Sequence, residues 1–436
     1  MTALLIRGVR LADDRICDLA ISDGRIVEPA DVIRPRVFDA AGLIALPGLV
    51  DLHTHLRQPG REDAETIRSG TRAAARGGYT AVFAMPNTDP VTDTVDRAAA
   101  VAEWGRRDGA TEVIPVGAIT RGQRGQELAD LAGMHERCGV TFFSDDGHCV
   151  QNAQIMRRAF EAVAPFHGVL AQHSQDSDLA GPTACCHESD WSRRLDLEPW
   201  PAQAESVIIA RDVQLAELTG ARLHVCHVSA AESVDVIRWA KARGVDLTAE
   251  VTPHHLLLGT ARLESLDTTF KVNPPLRTSE HTEALRDGLA DGTIDVVATD
   301  HAPHAPADKN QPFPLARPGM LGLEQALGVV LATMVETGRL DWRRVTYRMS
   351  VAPARIGGIG ERQGRRVCVG APANLVLLDP SRRARVDASQ SRSQSRNNPY
   401  DGLDLPDPVR LTLWRGNVTY AAPELGLEEG LGEELV

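Results

Sequence analysis

Leu49-Val50-Asp51-Leu52-His53-Thr54-His55 is the stretch on which the fold of this chain turns. A largely apolar run of strand length follows Pro47-Gly48 and ends in two histidines. Alternate residues of a strand share a face, so the imidazoles of His53 and His55 are expected side by side. The same pattern recurs downstream. Strand-length apolar runs lie at Ala81 to Ala84, Val113 to Ala118, Val140 to Phe143 and Gly168 to Ala171. Others are Arg222 to Val225, Val245 to Val251 and Ile294 to Ala298, and amphipathic stretches such as Glu205 to Leu218 and Ala230 to Arg243 separate many of them. Asn87, Asp146, His173, His227 and Asp300 stand at or just beyond these runs. Repeated strand-then-helix units predict an α/β protein built as a (β/α)8 TIM-type barrel, with a doubly wound sheet as the alternative. In a barrel those polar positions converge on the C-terminal mouth, where such folds do their chemistry.

Outward from this middle, both ends of the chain read as strands and turns. Leu4-Leu5-Ile6, Asp18 to Ile21 and Leu43 to Leu46 are each short and apolar, and Ser22-Asp23-Gly24 and Pro47-Gly48 punctuate them. Ala373 to Asp379 and Val409 to Trp414 repeat the pattern near the other end. A small β-sandwich domain assembled from residues 1–47 and 366–436 is therefore expected around a barrel of residues 48–365. Between Ser381 and Asn398 the chain is rich in Ser, Arg and Gln without an apolar face, which reads as an exposed, mobile loop of the small domain.

Composition narrows the function classes. A net charge of -12 argues against nucleic-acid and anionic-membrane partners, while 43% hydrophobic and 24% charged residues are ordinary for a globular chain. Neither a long apolar span nor a basic-then-apolar leader is present, which points to a cytoplasmic protein. The seven cysteines are scattered and odd in number, as in reduced proteins. Lysine is scarce: Lys241, Lys271 and Lys309 are the only three.

Neutral imidazole is the commonest zinc ligand, so His53-Thr54-His55 is a candidate metal site. Out of context, Asp145-Asp146-Gly147 reads as a turn, His224 and His254-His255 as structural, and Cys226 as core. His135, His148, His167, His187 and His281 carry no expected role.

Further motifs sharpen this reading. They include Pro47 to Gly60, Ala74 to Thr80, Met85-Pro86-Asn87-Thr88, Ser144-Asp145-Asp146-Gly147 and His224 to Ser229. Thr252-Pro253-His254-His255, Asn273-Pro274-Pro275-Leu276-Arg277 and Ala298 to His304 complete the set. Together, from about residue 4 to 420, they resemble the cyclic amidohydrolases, and specifically the bacterial type I dihydroorotases with their H-x-H-x-R signature.

The resemblance implies a metal-dependent enzyme that interconverts N-carbamoyl-L-aspartate and L-dihydroorotate, in pyrimidine biosynthesis, using hydroxide held by one or two Zn2+ ions. It assigns His53, His55 and Asp300 to a first metal, His173 and His227 to a second, and Asp146 to both. Asp300 is the implied general base and acid. His55, Arg57, Asn87, Asn273, His304, Pro318 and Gly319 are the implied substrate contacts, with Arg57 matched to a carboxylate. Pro318 stands where relatives often carry an aromatic residue. Ser174-Gln175 follows His173 where many relatives have Cys-Glu, so the charge that would orient His173 is missing. The nearest alternative is a dihydropyrimidinase, hydantoinase or allantoinase. Against it stand Arg57 and the absence of any lysine before Lys241 to form a carbamylated bridge. A non-catalytic scaffold for aspartate carbamoyltransferase is a further alternative, disfavoured because every implied ligand is kept. Self-association and a complex with that transferase are the implied partnerships, beside the small-molecule substrate.

Overall fold

The computed structural model describes residues 3–430. Its centre is a ring of parallel strands: β1 (Leu49–Thr54), β2 (Tyr79–Ala84), β3 (Glu112–Pro115), β4 (Phe142–Ser144), β5 (Val169–Gln172), β6 (Arg222–Val225), β7 (Leu247–Val251) and β8 (Val296–Val297). Neighbours pair in parallel within β1–β3 and within β4–β8. Parallel bridges Gly117–Phe143 and Thr54–His301 join these two arcs and close the barrel. Strands covered on both sides have no need to alternate polar and apolar residues, which is why β1 and β2 are buried along their whole length.

Two apolar layers hold the ring. Val50, Leu52, Ala81, Phe83, Phe142, Val169 and Ala171 form one cluster inside the barrel, together with Ala352, Ala354 and Ile356. These last three belong to a helical stretch that plugs the floor, where Ser350 Oγ donates to the Gly48 carbonyl at 2.7 Å. Gly357 must lack a side chain here, since a Cβ would sit 2.2 Å from the Phe83 ring. Leu49, Tyr79, Val82 and Ala84 face outward into the second layer, against the surrounding helices.

Those helices are α1 (Ile67–Arg76), α2 (Val95–Asp108), α3 (Leu131–Cys138), α4 (Ala153–Val163), α5 (Gln203–Thr219), α6 (Ala231–Ala242), α7 (Ser279–Asp291) and α8 (Ala326–Val330). Local signals set their ends. Thr66 and Ser69 form a capping box at α1, Asn152 accepts two backbone N–H groups at α4, and Gly139 ends α3 at φ 68°.

Both chain ends contribute to one eight-stranded sheet. Leu375–Leu378 pairs with Ile44–Pro47 on one side and Val409–Trp414 on the other. The expected sandwich takes the form of a single sheet that branches at Leu4–Leu11. That strand pairs Arg36–Asp39 along its first half and Ile44–Pro47 along its second. Leu4, Ile6, Val9, Leu375, Leu377, Leu411 and Leu413 form its separate core. No helix among the described residues is long and apolar enough to cross a membrane.

The segment from Ser381 to Asn398 is not the exposed, mobile loop its composition suggests. Arg383–Arg385 pairs antiparallel with Asp404–Pro406, and Ser393, Ser395, Asn397 and Asn398 are buried. Its polar side chains find partners on the barrel mouth instead of water. Composition cannot register that, because the partners lie far away in sequence, 331 residues for Ser395 and Ala64 and 95 for Asn397 and Ala302.

Candidate active site

The chemistry-bearing side chains meet where the barrel strands end. Val50 and Leu52 point inward, so strict alternation would send Thr54, not His53, into the barrel. The β1–β2 register shifts between Asp51 and Thr54, and this irregularity resets the face. His53 and His55 thus come together, ring centroids 5.4 Å apart, but by a bulge and not by the period-two rule alone.

Asp146 lies between four imidazoles. Its Oδ1 is 3.2 Å from His53 Nε2, 3.5 Å from His227 Nε2 and 3.8 Å from His173 Nδ1, and its Oδ2 is 3.3 Å from His55 Nε2. Asp300 Oδ1 sits 3.0 Å from His55 Nε2 and 3.5 Å from His53 Nε2. Asp145 turns away, accepting the backbone N–H groups of Ile119 and Thr120 at 2.8 and 2.9 Å. Both aspartates lie just past the end of β4, Asp146 in the turn that follows, and only the second faces the histidines.

Among the described residues three sets of ligand atoms are close enough to hold a cation: His53, His55 and Asp146; Asp146, His173 and His227; and, beneath them, His53, Cys226 and Glu250. The first two share Asp146 and face the mouth. A physical test supports the fit. Among the described residues neither His53 Nε2 nor Asp146 Oδ1, both buried, has a well-aligned hydrogen-bond partner, although the two atoms lie 3.2 Å apart. Leaving such atoms unpaired is costly, and a cation would satisfy both. Nitrogen with carboxylate oxygen is also the donor set that borderline-soft divalent metals accept.

The supporting layer is built for this. His53 Nδ1–H donates to Glu250 Oε1 at 2.6 Å, which leaves Nε2 as the free lone pair. Glu250 also receives His224 Nε2 at 3.0 Å and the His227 backbone N–H at 3.2 Å. Asp51 accepts the backbone N–H groups of His53 and Thr299, tying β1 to β8 beneath the mouth. His173 Nε2–H donates to Gln175 Oε1 at 2.9 Å, so a neutral amide orients this ring. Sequence reasoning missed Glu250, Asp51 and the role of Gln175. The available signal was a carboxylate inside each of two otherwise apolar strands.

Charge follows geometry. Burial alone would depress His53, yet Asp146 and Glu250 outweigh it and raise its pKa well above the ordinary value, so a proton and a cation compete for the Nε2 lone pair. Burial would raise Asp300, but His55 Nε2 at 3.0 Å and the other nearby imidazoles keep its carboxyl well below the usual range. Glu250 is likewise held down to about 2, where burial is overcome by His53 and His224. His227 and Asp300 adopt φ of 33° and 43°, and Arg57 of 58°, left-handed values unusual for such side chains. Backbone strain of this kind clusters at functional sites.

A cavity of about 380 Å³ opens above the cluster. His55, Arg57, Asn87, Asn273, His304, Pro318 and Gly319, the expected substrate contacts, all line it, as do Asp146, His173, His227 and Asp300. His53 lies beneath, fully buried. Arg57 Nε donates to the Pro303 carbonyl at 3.0 Å, and burial pushes the guanidinium pKa down to about 10, still charged at neutral pH. Asn87 Oδ1 accepts from His55 Nδ1 at 2.8 Å, so only its NH2 is left for a ligand. Asn273 is oriented by Gln175 and keeps a buried Oδ1 with no partner. His304 Nε2–H donates to the Pro318 carbonyl at 2.8 Å, and Gly319, at φ 145°, packs so closely that a Cβ would lie 2.6 Å from that ring. His148 and Arg317 also reach the cavity, where no role was expected of them.

Comparison with known proteins agrees with this geometry. The Dihydro-orotase-like family profile matches residues 42–233, and the Amidohydrolase family profile matches residues 210–419. A dihydroorotase of Streptomyces coelicolor is 52% identical over 424 residues, covering 96% of this chain and 98% of that one. The chain belongs to the dihydroorotase family. A second member, from Leifsonia xyli, is 51% identical over 95% of both chains. Among solved structures, the L-hydantoinase of Arthrobacter aurescens superposes with a TM-score of 0.86 over 97% of this chain and 96% of its own, at 27% identity. The α/β architecture is therefore shared with hydantoinases, whereas the sequence likeness is to dihydroorotases. The amidohydrolase family is metal-dependent, in keeping with the His/Asp sets at the mouth of this member.

Proposed function

We propose that this dihydroorotase-family chain catalyses the reversible closure of N-carbamoyl-L-aspartate to L-dihydroorotate, the ring-forming step of pyrimidine (UMP) biosynthesis in the cytoplasm. The observation that carries the reading is Arg57. A part-buried guanidinium with one hydrogen bond to the protein shares a cavity with a carboxylate–imidazole cluster able to hold metal. A cyclic amide bearing a carboxylate fits both ends of that cavity, and Arg57 offers a planar fork to the carboxylate.

His53, His55 and Asp300 would hold one Zn2+, His173 and His227 a second, with Asp146 shared between them. When bound, zinc supplies Lewis acidity, polarising the ring carbonyl and lowering the pKa of water toward about 7. Asp300 is the proton carrier: ionised by its imidazole neighbours, it takes a proton from the attacking water. Water adds across the ring amide, the C–N bond breaks, and Asp300 returns the proton to the departing ureido nitrogen. In the closing direction Asp300 takes the ureido N–H proton and passes it to the departing carboxylate oxygen, which leaves as water with one further proton taken from solvent. Asn273 Oδ1, buried and unpaired, is an acceptor for a ring N–H, while Asn87 NH2, His304 and the Pro318-Gly319 backbone border the ring. Self-association and a complex with aspartate carbamoyltransferase belong to the same proposal, and particle mass, alone and mixed, reads both.

Chelation tests the reading. Stripped protein should lose turnover of dihydroorotate and regain it with zinc. Full activity in rigorously metal-free protein would overturn it.

A further inference from the structure

The loops that border the substrate end of the cavity are held by a segment from the far end of the chain. Asn397 is buried, and its side chain spends every hydrogen-bonding atom on those loops. Nδ2 donates to the Ala302 carbonyl at 3.0 Å and to the Gly319 carbonyl at 3.1 Å, and Oδ1 accepts the His304 backbone N–H at 3.1 Å. The Asn397 carbonyl accepts from Leu321 N–H at 3.1 Å. The preceding residues fasten the strap. Ser393 Oγ and the Gln394 N–H both donate to the buried carboxylate of Glu65, and Ser395 Oγ donates to the Ala64 carbonyl at 2.7 Å. Glu65 also lies 3.4 Å from His301 Nε2, next to Asp300. At the other end, Ser391 Oγ and the Arg392 N–H are held by Glu324 Oε1.

We propose that Asn397 is a positioning residue of the active site. Its three side-chain hydrogen bonds set the distance between the 302–304 loop, which carries His304, and the 318–319 loop, whose backbone faces the cavity. It rests on the dihydroorotase reading for the identity of the ligand, not for the geometry. Substituting another residue for a group that aligns substrate-binding loops weakens binding more than it slows the chemical step, because the carboxylates and imidazoles below are untouched. The three hydrogen bonds come from a single side chain, and a buried amide with both donors and its acceptor used leaves no slack in the loops.

Steady-state kinetics on metal-quantified Asn397→Ala decides it, with Asn397→Asp as the second variant. Aspartate keeps the acceptor for His304 N–H and loses both donors. The alanine variant should show KM for dihydroorotate raised about 10- to 100-fold, with kcat within about fivefold and metal content unchanged. The aspartate variant should raise KM at least as much, because its second carboxylate oxygen would face the Ala302 and Gly319 carbonyls that Nδ2 now serves. Ser391→Ala, which loosens the end of the strap remote from the cavity, should leave KM within about twofold. KM unchanged in both Asn397 variants overturns the proposal. So does a rise in KM matched by Ser391→Ala, or failure of both Asn397 variants to fold, since each assigns the strap to stability alone. If wild type prefers another cyclic amide, the substrate reading fails while the same KM ratios, measured on that amide, still judge Asn397.

Discussion

Replacing Arg57 by methionine removes a cation while keeping most of the side chain's length. The guanidinium lines the cavity beside His55 and Asp300, and among the described residues its one hydrogen bond is Nε–H to the Pro303 carbonyl. Burial already strains the charge, lowering its pKa to about 10, so the group is poised to gain from an anion that covers it. Losing one partner of a buried, hydrogen-bonded charge pair costs about 2–5 kcal/mol. Arg57 is open to the cavity on one side, which places the loss nearer 2–4 kcal/mol, or about 30- to 1000-fold in kcat/KM for dihydroorotate. Arg57→Lys keeps charge without the fork and should recover part of that. Dihydrouracil, which has no carboxylate, should be a poor substrate for wild type and change little in either variant. The assay is initial-rate hydrolysis of both compounds at one pH, with metal content measured on each preparation. Equal losses on the two substrates, or dihydroorotate turnover within about fivefold of wild type, would refute a carboxylate-binding role.

Asp300→Asn keeps the shape but cannot accept a proton, so kcat should fall by at least about 10²–10⁴-fold, and a variant within a few-fold of wild type would mean another group moves the proton. Asp146→Ala should lose the second metal more readily than the first, whereas Asp145→Ala should retain metal and lose thermal stability, because Asp145 serves Ile119 and Thr120 instead. Metal analysis of the two variants checks this, and reconstitution should need no added bicarbonate, since no lysine precedes Lys241. The last prediction concerns pH. Burial, with Arg277 beside it, pushes His187 down to about 3, so folding keeps it neutral. A depressed folded pKa contributes stability that is present above the unfolded value of about 6.5 and lost as pH falls below it. His187→Asn retains an acceptor for Arg277 Nη1, now 3.0 Å from His187 Nδ1. Between pH 7.5 and 5.5, wild type should therefore lose about 1 kcal/mol relative to this variant in denaturant unfolding, and parallel curves would contradict the assignment.

What could be read from sequence was whatever repeats locally. Eight apolar runs followed by polar residues give a barrel with its chemistry at one mouth, because strand burial and strand-end position are short-range properties. Asp146 could be picked out from Asp145 by resemblance; in the fold only Asp146 meets the histidines, because Asp145 is held by the Ile119 and Thr120 N–H groups. What escaped depends on long-range pairing. Glu250 is an ordinary carboxylate in an apolar run until His53 and His224 are folded against it. The bulge that aims His53 arises from the β1–β2 register, which no single strand encodes. The Ser-Arg-Gln segment looks solvated because the carbonyls of Ala64, Ala302 and Gly319 that it serves are remote in sequence.

Substrate choice by the wild-type enzyme tests the central claim most directly. On one preparation of measured metal content, kcat/KM would be compared for L-dihydroorotate, dihydrouracil, hydantoin and allantoin. A site that grips a carboxylate through Arg57 should prefer dihydroorotate over each uncharged ring by at least about 100-fold. A preference for dihydrouracil, hydantoin or allantoin would contradict the account.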